Sequence, residues 1–219
     1  PSLSDDFSFF VGKQIEEWVI QFKSNHLCDQ KFFVIDFGAG DGSFMSGLIK
    51  YLLKSSNNYL EGVSFVIVEP NKGMIEKQKL KLKEFLRLGI DILWKGLEEI
   101  EGNKMNGIFI ANEVLDALPV ERITFSKGKL FRQAVSVDKR SWRLFLDELP
   151  ISRELEKSIE LAKSKLGITI PPEDAPEGWT TEWHIDNSEW LKGIYEKINN
   201  GILLIIDYAK EAKNYYGLR

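Results

Sequence analysis

The stretch FFVIDFGAGDGSFMSGLIKYL, Phe32 to Leu52, joins a run of apolar residues to three glycines and then to an amphipathic segment. The apolar run, Phe32 to Phe37, has the continuous hydrophobicity of a strand buried on both faces of a parallel sheet. Glycines at alternate positions permit a tight turn and let a ligand approach backbone N–H groups closely. The stretch therefore predicts a strand, a ligand-binding turn and a helix that ends near Lys54.

Composition limits the kinds of protein that this chain can be. Of its 219 residues, 43% are hydrophobic and 28% are charged, which is ordinary for a globular domain. Its 29 basic and 33 acidic residues give a net charge of −4, so no overall field attracts nucleic acid. No apolar run approaches the roughly 20 residues of a membrane-spanning helix. With one cysteine, Cys28, and two histidines, His26 and His184, we also expect no metal site.

Strands and helices alternate around the opening stretch. Residues 8–24 have the spacing of an amphipathic helix. After the glycines, the pattern predicts a strand at 63–68, a helix at 74–88, and strands at 90–94 and 107–111. This alternation predicts an α/β fold with a doubly wound parallel sheet.

From about Ala117 the pattern changes. Residues 120–125, 130–137 and 142–146 have the alternation of short strands, and a helix at 153–166 and a proline-rich loop follow. The earlier pattern returns with a helix at 188–198, a turn at 199–201 and a buried strand at 202–208. We expect one domain with a core of residues 1–116 and 187–219, and an inserted lid of residues 117–186.

Unusual residues follow each of the first four strands, at the sheet edge where ligands of such folds bind. After the glycine turn these are Glu69 and Pro70, then Gly96 and Leu97, then Asn112 to Asp116. A dinucleotide-binding fingerprint would have a third spaced glycine and an acid about 20 residues further on. Here Ser43 follows Gly42, and Glu69 lies 31 residues after Gly38. The pattern indicates a nucleotide-type ligand and departs from a typical NAD site.

The segment DFGAGDG, Asp36 to Gly42, resembles the first motif of S-adenosylmethionine-dependent methyltransferases, which has an acid in the strand followed by GxGxG. In those enzymes an acid at the end of the second strand accepts hydrogen bonds from both ribose hydroxyls, and the resemblance gives that role to Glu69. A carboxylate suits the role because it has two acceptor oxygens. The resemblance implies S-adenosyl-L-methionine as the cofactor.

A more specific resemblance lies in ANEVLDALPVERITF, Ala111 to Phe125. It is similar to the "NE..DALP" signature of the MidA-type methyltransferases, the family that includes mitochondrial complex I assembly methyltransferases. The stretch from Pro176 to Ala209 resembles the closing segment of that family. The resemblance implies a class I, Rossmann-like methyltransferase fold and a set of cofactor-binding residues: Asp36, Gly38, Ala39, Gly40, Gly42, Glu69, Pro70, Gly96, Leu97 and Asn112.

The chain departs from the family pattern in three places. Ala209 stands where the family usually has glycine, and Asp41 where it often has arginine. The chain stops at Arg219, so we expect the C-terminal closing hairpin to be absent. Because it begins at Pro1, we also expect a trimmed N-terminus. For a prokaryotic protein the expected location is the cytoplasm, and for eukaryotic relatives it is the mitochondrial matrix.

The resemblance to the MidA family implies methylation of an arginine on a protein partner, in the known case a subunit of respiratory complex I. A guanidinium is a poor nucleophile because its charge is delocalised and its pKa exceeds about 12. Carboxylates that bind it can orient one nitrogen and accept a proton. Glu113 and Asp116 are therefore the candidate catalytic carboxylates, and Asn112 can fix the loop or contact the substrate nitrogen.

Structural alternatives stay open for these acids. Glu69 can cap the helix that begins near Lys72, Glu113 can bind backbone N–H groups of its own loop, and Asp116 can be an N-cap. Asp36 is expected to order the glycine turn through backbone hydrogen bonds and to touch the ligand only indirectly. Alternative functions are methylation of a small molecule or another side chain, a non-catalytic assembly role and, more distantly, a dehydrogenase.

Two other features complete the sequence predictions. The run KQKLKLK, Lys77 to Lys83, is interpreted as the solvated side of a helix. Trp94 stands at the end of the third strand, closest to the expected position of an adenine.

Overall fold

The structure, a computed structural model, describes residues 5–24, 31–55, 60–100 and 104–217. Cys28 and His26 lie outside these residues. The chain divides into two compact units, one of residues 1–116 and 191–207 and the other of residues 117–190 and 208–219. Among the described residues, no helix combines the length and apolar character needed to cross a membrane.

The helices and strands follow one another in a regular order up to residue 112. They are α1 (Asp5–Ser24), β1 (Phe32–Phe37), α2 (Ser43–Lys54), β2 (Val63–Val68), α3 (Lys72–Arg87), β3 (Ile92–Lys95) and β4 (Met105–Asn112). The second part contains β5 (Glu121–Ser126), β6 (Lys129–Val137), β7 (Leu144–Pro150), α4 (Arg153–Leu166), β8 (Thr180–Trp183), α5 (Asn187–Tyr195), β9 (Ile198–Ile206) and α6 (Ala212–Tyr216).

The first unit is built on a parallel sheet of five strands in the order β3-β2-β1-β4-β9. β1 pairs with β2 on one side and with β4 on the other, so that Phe32 lies between Val63 and Asn106. Chain order reverses between β1 and β4, which makes the carboxyl end of these two strands a topological switch point. The sheet confirms the predicted α/β fold of the class I methyltransferase type.

The second unit contains an antiparallel sheet in the order β7-β6-β5-β8. It confirms that the chain leaves the parallel pattern after residue 117 and forms an inserted sheet of short strands. β8 was not predicted from the sequence; it has four residues and places Thr181 and Trp183 in the interior. That the insertion forms a lid stays a prediction.

The prediction of a turn at residues 199–201 is wrong. α5 ends at Tyr195 and β9 already begins at Ile198. Residues 199–201 therefore belong to β9, which pairs with β4. The Asn199 side chain donates a hydrogen bond of 2.8 Å to Oδ1 of Asn106, and Gly201 lies beside Gly107. Pairing with a central strand has overcome the local turn preference of Asn-Asn-Gly.

Helices α1, α2 and α3 pack on one face of the parallel sheet. Their buried side chains, among them Ile15, Val19, Leu48, Leu82 and Phe85, meet Val34, Phe65, Ile67, Ile108 and Ile110 of the strands. Full burial of each such side chain contributes about 1.5–3 kcal/mol. On the other face, the rings of Phe37 and Phe109 stack with centroids 6.4 Å apart. The strand ends at the candidate site are therefore held in place by a buried hydrophobic core.

Candidate functional site

The glycine turn, residues 38–42, leaves β1 at the switch point and leads into α2. Gly38, Gly40 and Gly42 have φ angles of 62°, 53° and 84°, a left-handed conformation that costs other residues about 1–2 kcal/mol. The Gly38 N–H donates to the carbonyl of Val68 at 2.9 Å, which ties the turn to β2. A Cβ at Gly40 would meet no atom within 4 Å, so open space adjoins the turn there.

A cavity of about 180 Å³ lies beside this turn, at the carboxyl ends of β1 and β4. Six of the residues predicted from the sequence line it: Asp36, Gly38, Ala39, Gly40, Asn112 and Glu113. Asp41 and Phe44 complete the lining. The structure thus brings the turn after β1 and the residues after β4 to one place.

Other parts of the described chain contain larger spaces without this chemistry. Two open cavities of about 790 and 810 Å³ lie in the second unit, and no predicted site residue lines either. Within residues 5–24, 31–55, 60–100 and 104–217, no group of three His, Cys, Asp or Glu side chains could hold a metal ion. The 180 Å³ cavity is therefore the candidate site. It is chosen because of the residues that surround it and not because of its size.

Asp36 lies at the floor of this site and is 1% exposed. Its Oδ2 has no hydrogen-bond partner among the described residues. Burial, and secondarily the negative charge of Glu69, raises the pKa of Asp36 to about 8. The expected backbone hydrogen bonds to the turn do not reach this oxygen, which is unsatisfied in a residue that lines the cavity.

Glu69 follows β2 and is partly exposed. Its Oε1 accepts the N–H of Asn71 at 2.9 Å, and its Oε2 accepts from Nε2 of Gln78 at 3.1 Å. The cap of α3 is Asn71, whose Oδ1 accepts from the N–H groups of Gly73 and Met74, so the alternative of Glu69 as the cap is wrong. Pro70 is exposed beside it.

The third strand end lies next to the second. Lys95, the last residue of β3, pairs with Val68, so Gly96 and Leu97 follow on the same sheet edge as Glu69. The Gly96 N–H donates to the Glu99 carboxylate at 2.6 Å. The 180 Å³ cavity is not lined by Gly96, Leu97, Glu69 or Pro70. These residues lie further along the same sheet edge.

Asp41, in the glycine turn, is paired with a positive charge from α3. Nζ of Lys81, on α3, lies 2.6 Å from Oδ2 of Asp41 and 2.5 Å from Oγ of Ser43. The hydrogen bond from Lys81 is the main cause of a lowered pKa of Asp41. A lysine from another element therefore neutralises the carboxylate that stands where the resemblance has an arginine.

The loop after β4 has an unusual backbone at Glu113. Its φ is 52°, uncommon for a residue with a side chain, and its N–H donates to the carbonyl of Ile206 at 2.8 Å. Strain of this kind is concentrated at functional sites. The side chain is exposed, and no hydrogen bond holds it to its own loop in the described structure.

Asp207, and not Glu113, binds backbone N–H groups of the loop after β4. Its Oδ2 accepts from the N–H groups of Leu115 at 3.0 Å and Asp116 at 3.3 Å. Asp116 is exposed, does not line the cavity and is followed by no helix, so the N-cap alternative is wrong. The signal for Asp207 was the segment IDYA, Ile206 to Ala209, at the end of the stretch that resembles the family, but the partners of Asp207 could not be read from the sequence.

Gln78 is the other residue that the sequence analysis missed. It lies within the run interpreted as solvated, yet it is 0% exposed, and Nε2 donates to the carbonyl of Gly40 at 2.7 Å. Positions 78, 82 and 85 have helical spacing and are all buried on α3. That spacing was a signal that could have found it.

Replacing Asp36 with asparagine should flatten the dependence of stability on pH. Because the pKa is raised from 3.8 to about 8 on folding, the folded state retains a proton that the unfolded state releases between these values. The wild-type free energy of unfolding should therefore fall as pH rises from 5 to 8, and Asp36→Asn should remove most of that fall. Urea unfolding at pH 5.5, 7 and 8.5 measures it.

Asp41→Asn is the matched control. The pKa of Asp41 is lowered, so its ionisation changes the free energy of unfolding only at more acidic pH. It should keep the wild-type slope between pH 5 and 8. An Asp36→Asn slope equal to wild type would show that Asp36 is ionised in the folded protein.

Comparison with known proteins places these features in a family. The profile of the family described as "Putative S-adenosyl-L-methionine-dependent methyltransferase" matches residues 10–219. Among solved structures, a Burkholderia thailandensis protein described as a methyl transferase candidate and bound to S-adenosyl-homocysteine has 23% identity and a TM-score of 0.72. The match covers 98% of this chain and 50% of that one.

A second crystal structure from Burkholderia thailandensis, of an uncharacterised protein in its native form, has 24% identity and a TM-score of 0.74. The match covers 99% of this chain and 52% of that one. The likeness shows a common fold, and this chain spans about half the length of the solved proteins that it matches.

Proposed function

Since this chain belongs to the MidA-type family of S-adenosyl-L-methionine-dependent methyltransferases, we propose that its candidate site binds S-adenosyl-L-methionine and transfers the methyl group. The observation that carries the proposal is Oδ2 of Asp36, an acceptor without a partner that is buried in the cavity beside three left-handed glycines. An unsatisfied buried carboxyl group is costly, and a cationic ligand would satisfy its ionised form. The ammonium group of the cofactor fits that requirement.

The other residues fit the remaining parts of the cofactor. The glycine turn lets a ligand approach the backbone, and a Cβ at Gly40 would point into open space. Glu69 offers a carboxylate on the same sheet edge, which suits a ribose diol. Trp94, one residue before the end of β3, is the aromatic residue that we assign to the adenine.

S-adenosyl-L-methionine, when bound, supplies a methyl group made electrophilic by a sulfonium. Little new charge forms on transfer, so the main task of the protein is to place the acceptor in line. Glu113 and Asn112 lie at the cavity wall, at the carboxyl end of β4. They are the residues best placed to orient an acceptor.

We further propose that the acceptor is an arginine of a protein partner, as in the assembly of a respiratory complex. Glu113 is exposed at the cavity, so its carboxylate is accessible to a guanidinium that enters from outside. A carboxylate binds two guanidinium N–H groups, fixes one nitrogen and accepts the proton that methylation releases. Asp116, three residues on, is a second exposed carboxylate for the same task.

Binding of S-adenosyl-homocysteine, measured by isothermal titration calorimetry, should tighten as pH rises. A ligand ammonium favours ionised Asp36, so binding below its pKa of about 8 releases a proton. Kd should fall by up to about tenfold per pH unit and level off near pH 8. Glu69→Ala should weaken binding by about tenfold or more at every pH.

Asp36→Asn is the control for this pH profile and should flatten it. NAD in place of S-adenosyl-homocysteine should produce no heat of binding. Wild-type protein that binds NAD and not S-adenosyl-homocysteine would refute the proposed cofactor.

Glu113→Ala should separate binding from transfer. We expect methyl transfer to a protein acceptor to fall by about 100-fold or more, the size of a general-base contribution, with less than about threefold change in the Kd of S-adenosyl-homocysteine. Mass spectrometry of methylated arginines, in cells that carry each variant, measures the transfer. Glu84→Ala, an exposed site on α3, is the matched control and should leave transfer unchanged.

The outcomes distinguish the candidate functions. Unchanged arginine methylation together with loss of a methylated small molecule would favour a small-molecule enzyme. Full cellular function of Glu113→Ala, with no methylation dependent on the protein, would favour a non-catalytic assembly factor.

A further inference from the structure

We propose that Gln78 is a positioning residue that holds the cofactor site in its binding geometry. This inference rests on the proposed function of the same site. It concerns one side chain of α3 that reaches the ends of three strands. The contacts involve Gly40 after β1, Glu69 after β2 and Trp94 in β3.

The side-chain amide of Gln78 has hydrogen-bond partners on both of its ends. Nε2 donates to the carbonyl of Gly40 at 2.7 Å and to Oε2 of Glu69 at 3.1 Å. Oε1 accepts from Nε1 of Trp94 at 3.0 Å. With 0% exposure, the amide has no access to water, and these three groups are its hydrogen-bonding environment.

The chemistry of the partners fixes the orientation of this amide. The Trp94 indole N–H is only a donor, so the amide oxygen must face it. The carbonyl of Gly40 and the carboxylate of Glu69 are both acceptors, so the amide nitrogen must face them. A flipped amide would oppose like groups at all three contacts. Glutamine is the residue type that satisfies two acceptors and one donor here.

Helix α3 contacts the glycine turn at two further points. A Cβ at Gly42 would lie 3.4 Å from Cα of Gln78, so the turn packs closely on the helix backbone. Lys81, three residues after Gln78, binds Asp41 and Ser43. The position of the turn is therefore set by α3 as well as by β1 and α2.

The contact with Glu69 has a direct consequence for ligand binding. Each oxygen of this carboxylate accepts one hydrogen bond, from Asn71 or from Gln78, and keeps a further lone pair. The carboxylate is thus held in one orientation while it can still accept from two ligand hydroxyls. Without Gln78, binding would have to order Glu69 and the Gly40 peptide, which weakens affinity.

Gln78→Met tests the inference because methionine has a similar length and cannot form the three hydrogen bonds. We expect the Kd of S-adenosyl-homocysteine to rise by about tenfold or more, as for the loss of a hydrogen bond to a charged group. In a Glu69→Ala background the same substitution should have a clearly smaller effect, because the two residues act through one contact.

Leu82→Val is the matched control for a purely structural role. Leu82 is buried on α3, four residues after Gln78, contributes to the core and does not line the cavity. The variant should lower the midpoint of thermal unfolding and leave the Kd within about twofold of wild type. Equal effects of Gln78→Met and Leu82→Val on Kd would reduce Gln78 to a stability residue.

Gln78→Glu adds a signature that a packing defect lacks. The carboxylate accepts from Trp94, cannot donate to Gly40, and places a second negative charge beside Glu69. Its Kd should exceed that of wild type by at least as much as that of Gln78→Met. The ratio of its Kd to the wild-type Kd at the same pH should shrink toward pH 5, where a protonated glutamic acid regains a donor.

Hydrogen exchange of the ligand-free protein tests positioning without the cofactor. Amides of residues 38–46 should exchange several-fold faster in Gln78→Met than in Leu82→Val, since the Gly40 carbonyl loses its hydrogen bond to α3. Wild-type Kd and wild-type exchange in Gln78→Met would overturn the inference and leave the proposed function standing. Absence of S-adenosyl-homocysteine binding by wild type would overturn the proposed function and, with it, the role of Gln78 toward the cofactor.

Discussion

The candidate site depends on the parallel pairing of β1 with β2 on one side and with β4 on the other. Parallel strands place all their carboxyl ends at one edge, and chain order reverses between β1 and β4. The glycine turn, Glu69 and the loop after β4 are far apart in the chain. They become neighbours because their strands are in register, and the buried side chains on both faces keep those strands in place.

The site contains local features that are unfavourable for stability alone. Asp36 buries an acceptor without a partner, and Glu113 has a left-handed φ in spite of its side chain. Neither feature is needed for the sheet, since the neighbouring Ile35 and Phe37 fill its interior. Unfavourable groups that cluster at one cavity, in an otherwise well-packed unit, are expected where a ligand binds.

Local sequence signals predicted the parts of this site that depend on local physics. The continuous apolar runs of β1, β2 and β4 identify buried strands, and left-handed φ angles require glycine in the turn. The fold class also places the residues that follow the strands, Glu69 among them, at one sheet edge. These features were enough to predict most of the parallel sheet and most of the cavity lining.

The rest depends on contacts between residues that are distant in the chain. The spacing of Gln78 with Leu82 and Phe85 indicates an inward side chain, but its partner, Gly40, lies 38 positions away and could not be read from the sequence. Asp207 binds the loop after β4 across more than 90 positions, as the separations of its partners, 92 and 91, show. Asn199 lies in β9 rather than a turn because Asn106 offers a better partner than the local backbone.

The central claim is that Asp36 and Glu69 bind opposite parts of one cofactor across the glycine turn. A crystal structure of the protein with S-adenosyl-homocysteine tests it most directly. We predict the ligand ammonium within hydrogen-bond distance of Oδ2 of Asp36 and the ribose hydroxyls on the carboxylate of Glu69. A ligand bound elsewhere, or one that leaves Asp36 Oδ2 without a partner, would contradict the account.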